Sequence, residues 1–210
     1  PIGFHNSVEL LVFVTVAFLM GRMGVRELAG HQIAINLASL SFMVPLGVSG
    51  AAATRVGNAI GRGSMPDARR AAAACLVLGG GVMVIFALIF GSIPHALARL
   101  YTRDTGVIEM AAALLPIAAV FQVFDGIQVV GAGVLRGAAD TAFPAGIALV
   151  GFWAIGLPAG WALGFPGGWG PRGLWWGLTL GLIAVAVLFL ARIAVRFRRQ
   201  IVRASAEAPV

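Results

Sequence analysis

The chain is short of nearly everything that a soluble domain places on its surface. Charged residues occupy 11% of its 210 positions, and none of the 15 basic residues is a lysine. With 60% hydrophobic residues and a mean hydropathy of +0.95, it has too little polar surface to cover a water-facing globule. Cysteine occurs once, at Cys75, which excludes an intrachain disulfide and reads as a small apolar packing residue. Strict alternation of apolar and polar residues is absent, so membrane barrel strands are excluded. No basic patch is interleaved with a base-stacking aromatic platform, so the net charge of +7 does not point to nucleic acid. A basic segment followed by a short apolar run and a small-residue cleavage site is also missing. The chain opens at Pro1 rather than Met, and an amino-terminal truncation is expected.

What the sequence has instead is hydrophobic length. Apolar runs recur near Phe4–Gly21, Leu28–Ala52, Ala68–Gly91, Val107–Val134, Ala142–Leu163 and Gly173–Val195. Each approaches the roughly 20 residues that a helix needs to cross about 30 Å of hydrocarbon. Helices are the open-ended solution that pairs every backbone group in lipid. The expected fold class is therefore all-α, a polytopic transmembrane helix bundle of about six spans. Residues 1–196 form the bundle and residues 197–210 a cytoplasmic basic tail. The second helix is expected to outrun the membrane through Thr54–Ile60, where Arg55 and Asn58 mark the water layer. Joints fall at Arg22–Glu27, Gly61–Arg70, Ser92–Asp104, Arg136–Thr141 and Phe165–Arg172.

Arginine sets the orientation. One set of joints holds Arg62, Arg69, Arg70 and Arg136, and shares its face with Arg192, Arg196, Arg198, Arg199 and Arg203. The other holds Arg22, Arg26, Arg99, Arg103 and Arg172. The richer face and both ends should be cytoplasmic in a bacterial inner membrane, with anionic lipid headgroups as the nearer partner of this charge.

Chemistry in such a chain must come from polar groups at membrane depth, where an ionisable side chain costs roughly 2.5–3.5 kcal/mol on insertion scales. Two acids qualify. Glu9 opens the run Leu10–Met20, and Asp125 sits inside Phe121–Val134, whereas Glu27, Asp67, Asp104, Asp140 and Glu207 lie in joints or the tail and Glu109 lies near a span end. Gln122, Asp125 and Gln128 recur every three residues and share one helical surface. Gln32, Asn36 and Ser39 follow the i, i+4, i+7 pattern and form a second polar stripe. Either stripe can be interhelical glue, but together with the acids they suggest a water-accessible cavity lined by Gln32, Asn36, Ser39, Gln122 and Gln128. His5 and Asn6 precede Glu9 on the same turn.

Glycine and proline suggest mechanics. Gly156, Gly160 and Gly164 form overlapping G-x-x-x-G units, and Gly57/Gly61 and Gly177/Gly181 form single ones, each allowing close helix approach. Pro45, Pro116 and Pro158 fall within spans, and Pro45 and Pro116 are candidate hinges.

Several segments carry a resemblance. These are Pro1-Ile2-Gly3 followed by Glu9, then Leu28-Ala29-Gly30-His31-Gln32-Ile33-Ala34-Ile35-Asn36-Leu37, Met43-Val44-Pro45-Leu46-Gly47 and Arg55-Val56-Gly57-Asn58. Phe121-Gln122-Val123-Phe124-Asp125-Gly126-Ile127-Gln128 and Leu135-Arg136-Gly137-Ala138-Ala139-Asp140-Thr141 come later. In order and spacing the chain resembles the carboxy-terminal half of a bacterial multidrug and toxic compound extrusion (MATE) transporter, over essentially its whole length. The resemblance implies a twelve-span antiporter of two six-helix bundles, a secondary transporter rather than an enzyme, with no cofactor. It would expel cationic amphiphilic compounds while Na⁺ or H⁺ enters. It also implies that Glu9 and Asp125 carry the coupling cation, ligating Na⁺ if sodium is used, and that an amino-terminal six-helix bundle is the missing partner.

Two other readings are weighed against this one. Gly47-Val48-Ser49-Gly50 fits the nucleophile pattern of a rhomboid-like intramembrane serine protease, with His31 or His95 as base. A flippase for lipid-linked precursors would keep the helices and change the cargo, but an anionic cargo calls for basic residues within the cavity, and only Arg136 lies away from the obvious joints.

Overall fold

The computed structural model describes residues 2–206, and among them it is helical with no strand. The elements are α1 (Ile2–Met23), α2 (Val25–Gly61), α3 (Met65–Ser92), α4 (Pro94–Arg99), α5 (Thr105–Gly137), α6 (Ala142–Leu149), a π-helical segment (Val150–Gly156), α7 (Leu157–Gly164) and α8 (Pro171–Ala206). Among the described residues, five segments are long and apolar enough to cross a membrane: α2, α3, α5, the composite α6–π–α7, and α8 up to Arg198. The 22-residue helix α1 lies over the first expected span, and the side chains of His5 and Asn6 lie outside the described residues.

Contacts fix the directions. Gly30 of α2 lies against Met110 and Ala111 of α5, Ser41 bonds Gln122, and Gly57 lies against Gly137, so α2 and α5 run parallel. Phe121 meets Trp175, and Gly131 meets Phe189, so α8 runs the same way. Phe13 meets Phe121 while Glu9 meets Gln128, which makes α1 antiparallel to α5. Gly79 and Met83 of α3 pack on Val130 and Gly126, and Gly160 of α7 packs on Leu174 and Gly177, so α3 and α6–α7 also run against the first three. The start of α1 and the far end of α8 therefore lie at one end of the bundle, with Arg62, Arg69, Arg70, Arg136, Arg192 and Arg196.

Local chemistry explains the joints. Asp104 caps α5 by accepting a hydrogen bond from the Val107 N–H at 2.9 Å. Ser64 donates to Asp67 at 2.8 Å ahead of α3, which has Pro66 in its first turn. As expected, α2 runs on past the lipid-length portion, through Thr54–Ile60 to Gly61.

Two apolar clusters fill the interior. One gathers Val12, Val16, Ile33, Leu114, Phe121, Phe152 and Trp175, and the other Val56, Val130, Leu135, Val185 and Phe189. Leu10, Phe18, Leu40, Val77 and Leu88 point outward with more than half their surface free. This pattern suits hydrocarbon as the surrounding solvent.

α2 continues without a break through buried Pro45 and α5 through exposed Pro116, the two candidate hinges. The irregular span is α6–π–α7. There Pro158 has no N–H to offer, and the Leu157 N–H reaches back five residues to the Phe152 carbonyl. Asp140 lies in the joint between α5 and α6, as expected, and is buried there. It is 9% exposed, and the Arg192 Nε donates to its Oδ2 at 2.7 Å while the guanidinium stands 4.6 Å from the Phe143 ring centre. α8 continues past residue 196 to Ala206, and Phe197 is buried. The expected tail residues 207–210 lie outside the described residues.

The glycine repeats meet as a seam. Gly151, Gly156 and Gly160 face Gly177 and Gly181 of α8 at backbone contact. A side chain at Gly177 would fall on the main chain of Gly160. Gly57 touches Gly137, whereas Gly61 faces open space.

Candidate functional site

Glu9 and Asp125, on different helices, are brought together. Antiparallel packing of α1 against α5 sets Glu9 beside Gln128, whose Nε2 donates to Glu9 Oε1. Asp125 lies one turn before Gln128, the partner of Glu9, on the same surface of α5. Both acids are half-buried. Two carboxylates in a low-dielectric setting repel one another and gain from a shared cation or proton.

The surroundings are built from three elements. One turn further along α1, Phe13 packs edge-on to Phe121 at 6.1 Å and against Phe152 at 6.5 Å. Phe121 in turn meets Trp175 at 5.8 Å. These rings serve as packing on one side of the acids. From the π-helical segment, Trp153 Nε1 donates to the carbonyl of Val8 at 3.2 Å. The irregular span therefore touches α1 at the residue next to Glu9. Sequence reasoning missed this link. Its only signal was a tryptophan, which needs a partner for its N–H, placed shortly before Pro158.

The five polar residues expected to line one cavity divide into two groups. Gln122 is fully buried: Ser41 donates to its Oε1 at 2.8 Å, and among the described residues its Nε2 has no partner. Gln128 is buried as well and holds Glu9. Neither lines an open cavity, because α2 and α8 pack over this part of α5. Gln32, Asn36 and Ser39 instead stand exposed along α2, and Tyr101 donates to Asn36 Oδ1 at 2.7 Å. Two clefts, of about 940 and 670 Å³, lie at opposite ends of the bundle, and neither is lined by Glu9 or Asp125. Among the described residues no three His, Cys, Asp or Glu side chains gather.

The serine-protease arrangement is not formed. Ser49 donates to the Val129 carbonyl at 2.7 Å in a buried position. His31 lies 18 residues earlier on the same helix, about 27 Å away along its axis, and packs against Trp175. His95 belongs to α4 and pairs with exposed Glu109 at 3.3 Å.

Comparisons with known proteins agree with this architecture. The sequence profile of the family described as MatE matches residues 1–162. A probable multidrug resistance protein NorM of Xanthomonas axonopodis pv. citri is 47% identical over 201 residues, which is 95% of this chain and 43% of that protein. The multidrug resistance protein NorM of Burkholderia vietnamiensis is 44% identical over 197 residues, 91% of this chain and 43% of that one. Among solved structures, a eukaryotic MATE transporter superposes with a TM-score of 0.82 at 24% identity, covering 94% of this chain and 46% of its own. The Vibrio cholerae MATE transporter VcmN in its bent form superposes with a TM-score of 0.83 at 18% identity, covering 93% and 44%. These structural likenesses speak for the fold. The chain spans less than half the length of the relatives it matches.

Proposed function

We infer that this chain, which belongs to the MatE family, is one half of a multidrug exporter in which Glu9 and Asp125 carry the coupling cation. The observation that carries the reading is the meeting of two acids from separate membrane helices, with an amide holding one of them. A carboxyl group at membrane depth is costly, and two in one place are costlier, so a function that uses the charge explains their presence better than packing does. The relatives are named as multidrug resistance proteins, which points to drugs as cargo, and we take these to be cationic amphiphiles.

The mechanism is competition for negative charge. With the carboxylates free, the site favours a cationic compound in the adjoining cavity. With Na⁺ or H⁺ bound, that preference is lost, and the difference in affinity drives the switch between states. A membrane potential adds about 2.3 kcal/mol per charge per 100 mV to inward cation movement. The exposed stripe of Gln32, Asn36 and Ser39 is the surface we assign to the cavity wall, closed by a second six-helix bundle outside this chain. The arginine-rich end, which holds the start of α1 and the far end of α8, is placed in the cytoplasm of a bacterial cell by the positive-inside rule.

The test is expression of the complete reading frame in a drug-sensitive host with dye efflux as the readout. Efflux should fall to background in Glu9→Gln and in Asp125→Asn. Normal efflux in both would remove the coupling site.

A further inference from the structure

A second site lies away from the acids, in a cleft between the last turns of α2 and the first turns of α3 at the arginine-rich end. The cleft there holds about 670 Å³ and has two kinds of wall. Its outer part carries Arg55, Arg62 and Arg70, and its inner part is apolar, made by Val48, Ala51, Ala74 and Leu78. Arg55 lies in the second-last turn of α2 and Arg62, seven residues on, caps its end. Both are exposed, and among the described residues neither has a carboxylate partner. Arg70 is already engaged, at 3.9 Å from Asp67, the one acid in the cleft.

The layout is graded along the membrane normal. From Val48 to Arg55 is about 10 Å along the helix, so the apolar wall reaches well into a hydrocarbon half-layer of about 15 Å. The arginines then fall at headgroup depth. Leu78, more than half exposed, continues the apolar wall outward to the lipid-facing surface of α3. A ligand that fits must be negatively charged at one end and long and apolar at the other, and it must be able to enter sideways from the bilayer.

We propose that this cleft binds one anionic phospholipid, with its phosphate between Arg55 and Arg62 and an acyl chain along Ala51, Ala74 and Leu78. Two unpaired guanidiniums offer forked donors that match phosphate oxygens, and basic pockets between helices at this depth hold such headgroups. The lipid fills the gap between the ends of α2 and α3 without touching the acid pair.

The test is native mass spectrometry of the complete gene product, released from mixed micelles holding equal phosphatidylglycerol and phosphatidylcholine. The wild type should carry phosphatidylglycerol in excess by about thirtyfold, the size expected for two arginines facing one headgroup. Arg55→Gln combined with Arg62→Gln should bring the two lipids to parity, while Arg99→Gln with Arg103→Gln, at the opposite end, should leave the excess intact. Ala74→Trp, which fills the apolar wall at an exposed position, should reduce the adduct with both arginines present. Parity in the wild type, or an excess that survives the Arg55/Arg62 pair, overturns the proposal. Displacement of the lipid by inorganic phosphate with no effect of Ala74→Trp would make this a plain anion site and overturn it also. A cysteine placed by Ala74→Cys that cross-links to protein outside this chain would show the cleft covered by polypeptide, again against a lipid.

Discussion

Gly177→Ala offers a stringent test of the packing. Replacing glycine by alanine inside a helix normally stabilises it by about 1 kcal/mol. At Gly177 the added carbon would instead overlap the backbone N and Cα of Gly160 and stand 2.7 Å from the Gly156 carbonyl oxygen. None of those atoms belongs to a side chain that can rotate away, so α7 and α8 must separate by about an ångström. Membrane helices associate through close packing rather than through expulsion of water, so contacts are lost along the whole seam from Gly151 to Gly164. Overpacking costs about 1–3 kcal/mol; a clash with main-chain atoms belongs at the upper end of that range, so the net loss should be about 2 kcal/mol once the helix gain is subtracted. Gly47→Ala on α2 is the matched control, because nothing lies within 4 Å of the added carbon. Thermal unfolding of the detergent-purified protein, followed by tryptophan fluorescence, should show a midpoint lowered by about 4–8 °C for Gly177→Ala and unchanged or slightly raised for Gly47→Ala. Equal midpoints for the two variants would refute the seam as drawn.

Two further outcomes follow from single contacts. Asp140→Ala leaves the Arg192 guanidinium without its buried acceptor and should destabilise by about 2 kcal/mol, whereas Arg192→Lys should cost less by keeping the charge; both are read from the same melts. Gln128→Met removes the amide that holds Glu9 and should weaken the apparent affinity for the coupling cation by about tenfold. Gln32→Met, on the exposed stripe, should leave it within twofold, as cation-dependent dye efflux would show.

Much of this fold was legible because lipid demands length and apolarity, and both are local properties of sequence. The five long segments and the overrun of α2 through Thr54–Ile60 follow from that demand alone. The G-x-x-x-G units marked Gly156, Gly160, Gly177 and Gly181 as places of close approach, without saying that they meet one another, and Gly61 shows that such a unit can face nothing. Long-range pairing was less legible. Asp140 and Arg192 stand 52 residues apart, and nothing local to either says that the loop folds back onto α8. Prolines drew attention to Pro45 and Pro116, yet a long helix packed on its neighbours carries a proline without breaking. The break sits at Val150–Gly156, where glycines on both helices allow an irregular backbone to lie close. Within the candidate site, helical spacing placed Asp125 and Gln128 on one face, but only the direction of α1 against α5 brings Glu9 to them.

The central claim is that one pair of carboxylates serves either a cation or the cargo. It is tested most directly by equilibrium binding of a fluorescent cationic dye to the purified full-length protein, with and without Na⁺ and at neutral and mildly acidic pH. The account predicts that one of these cations weakens dye binding in the wild type by about 5–150-fold, and that Glu9→Gln with Asp125→Asn abolishes the effect. Dye affinity that ignores both cations in the wild type, or that responds equally in the double variant, would contradict it.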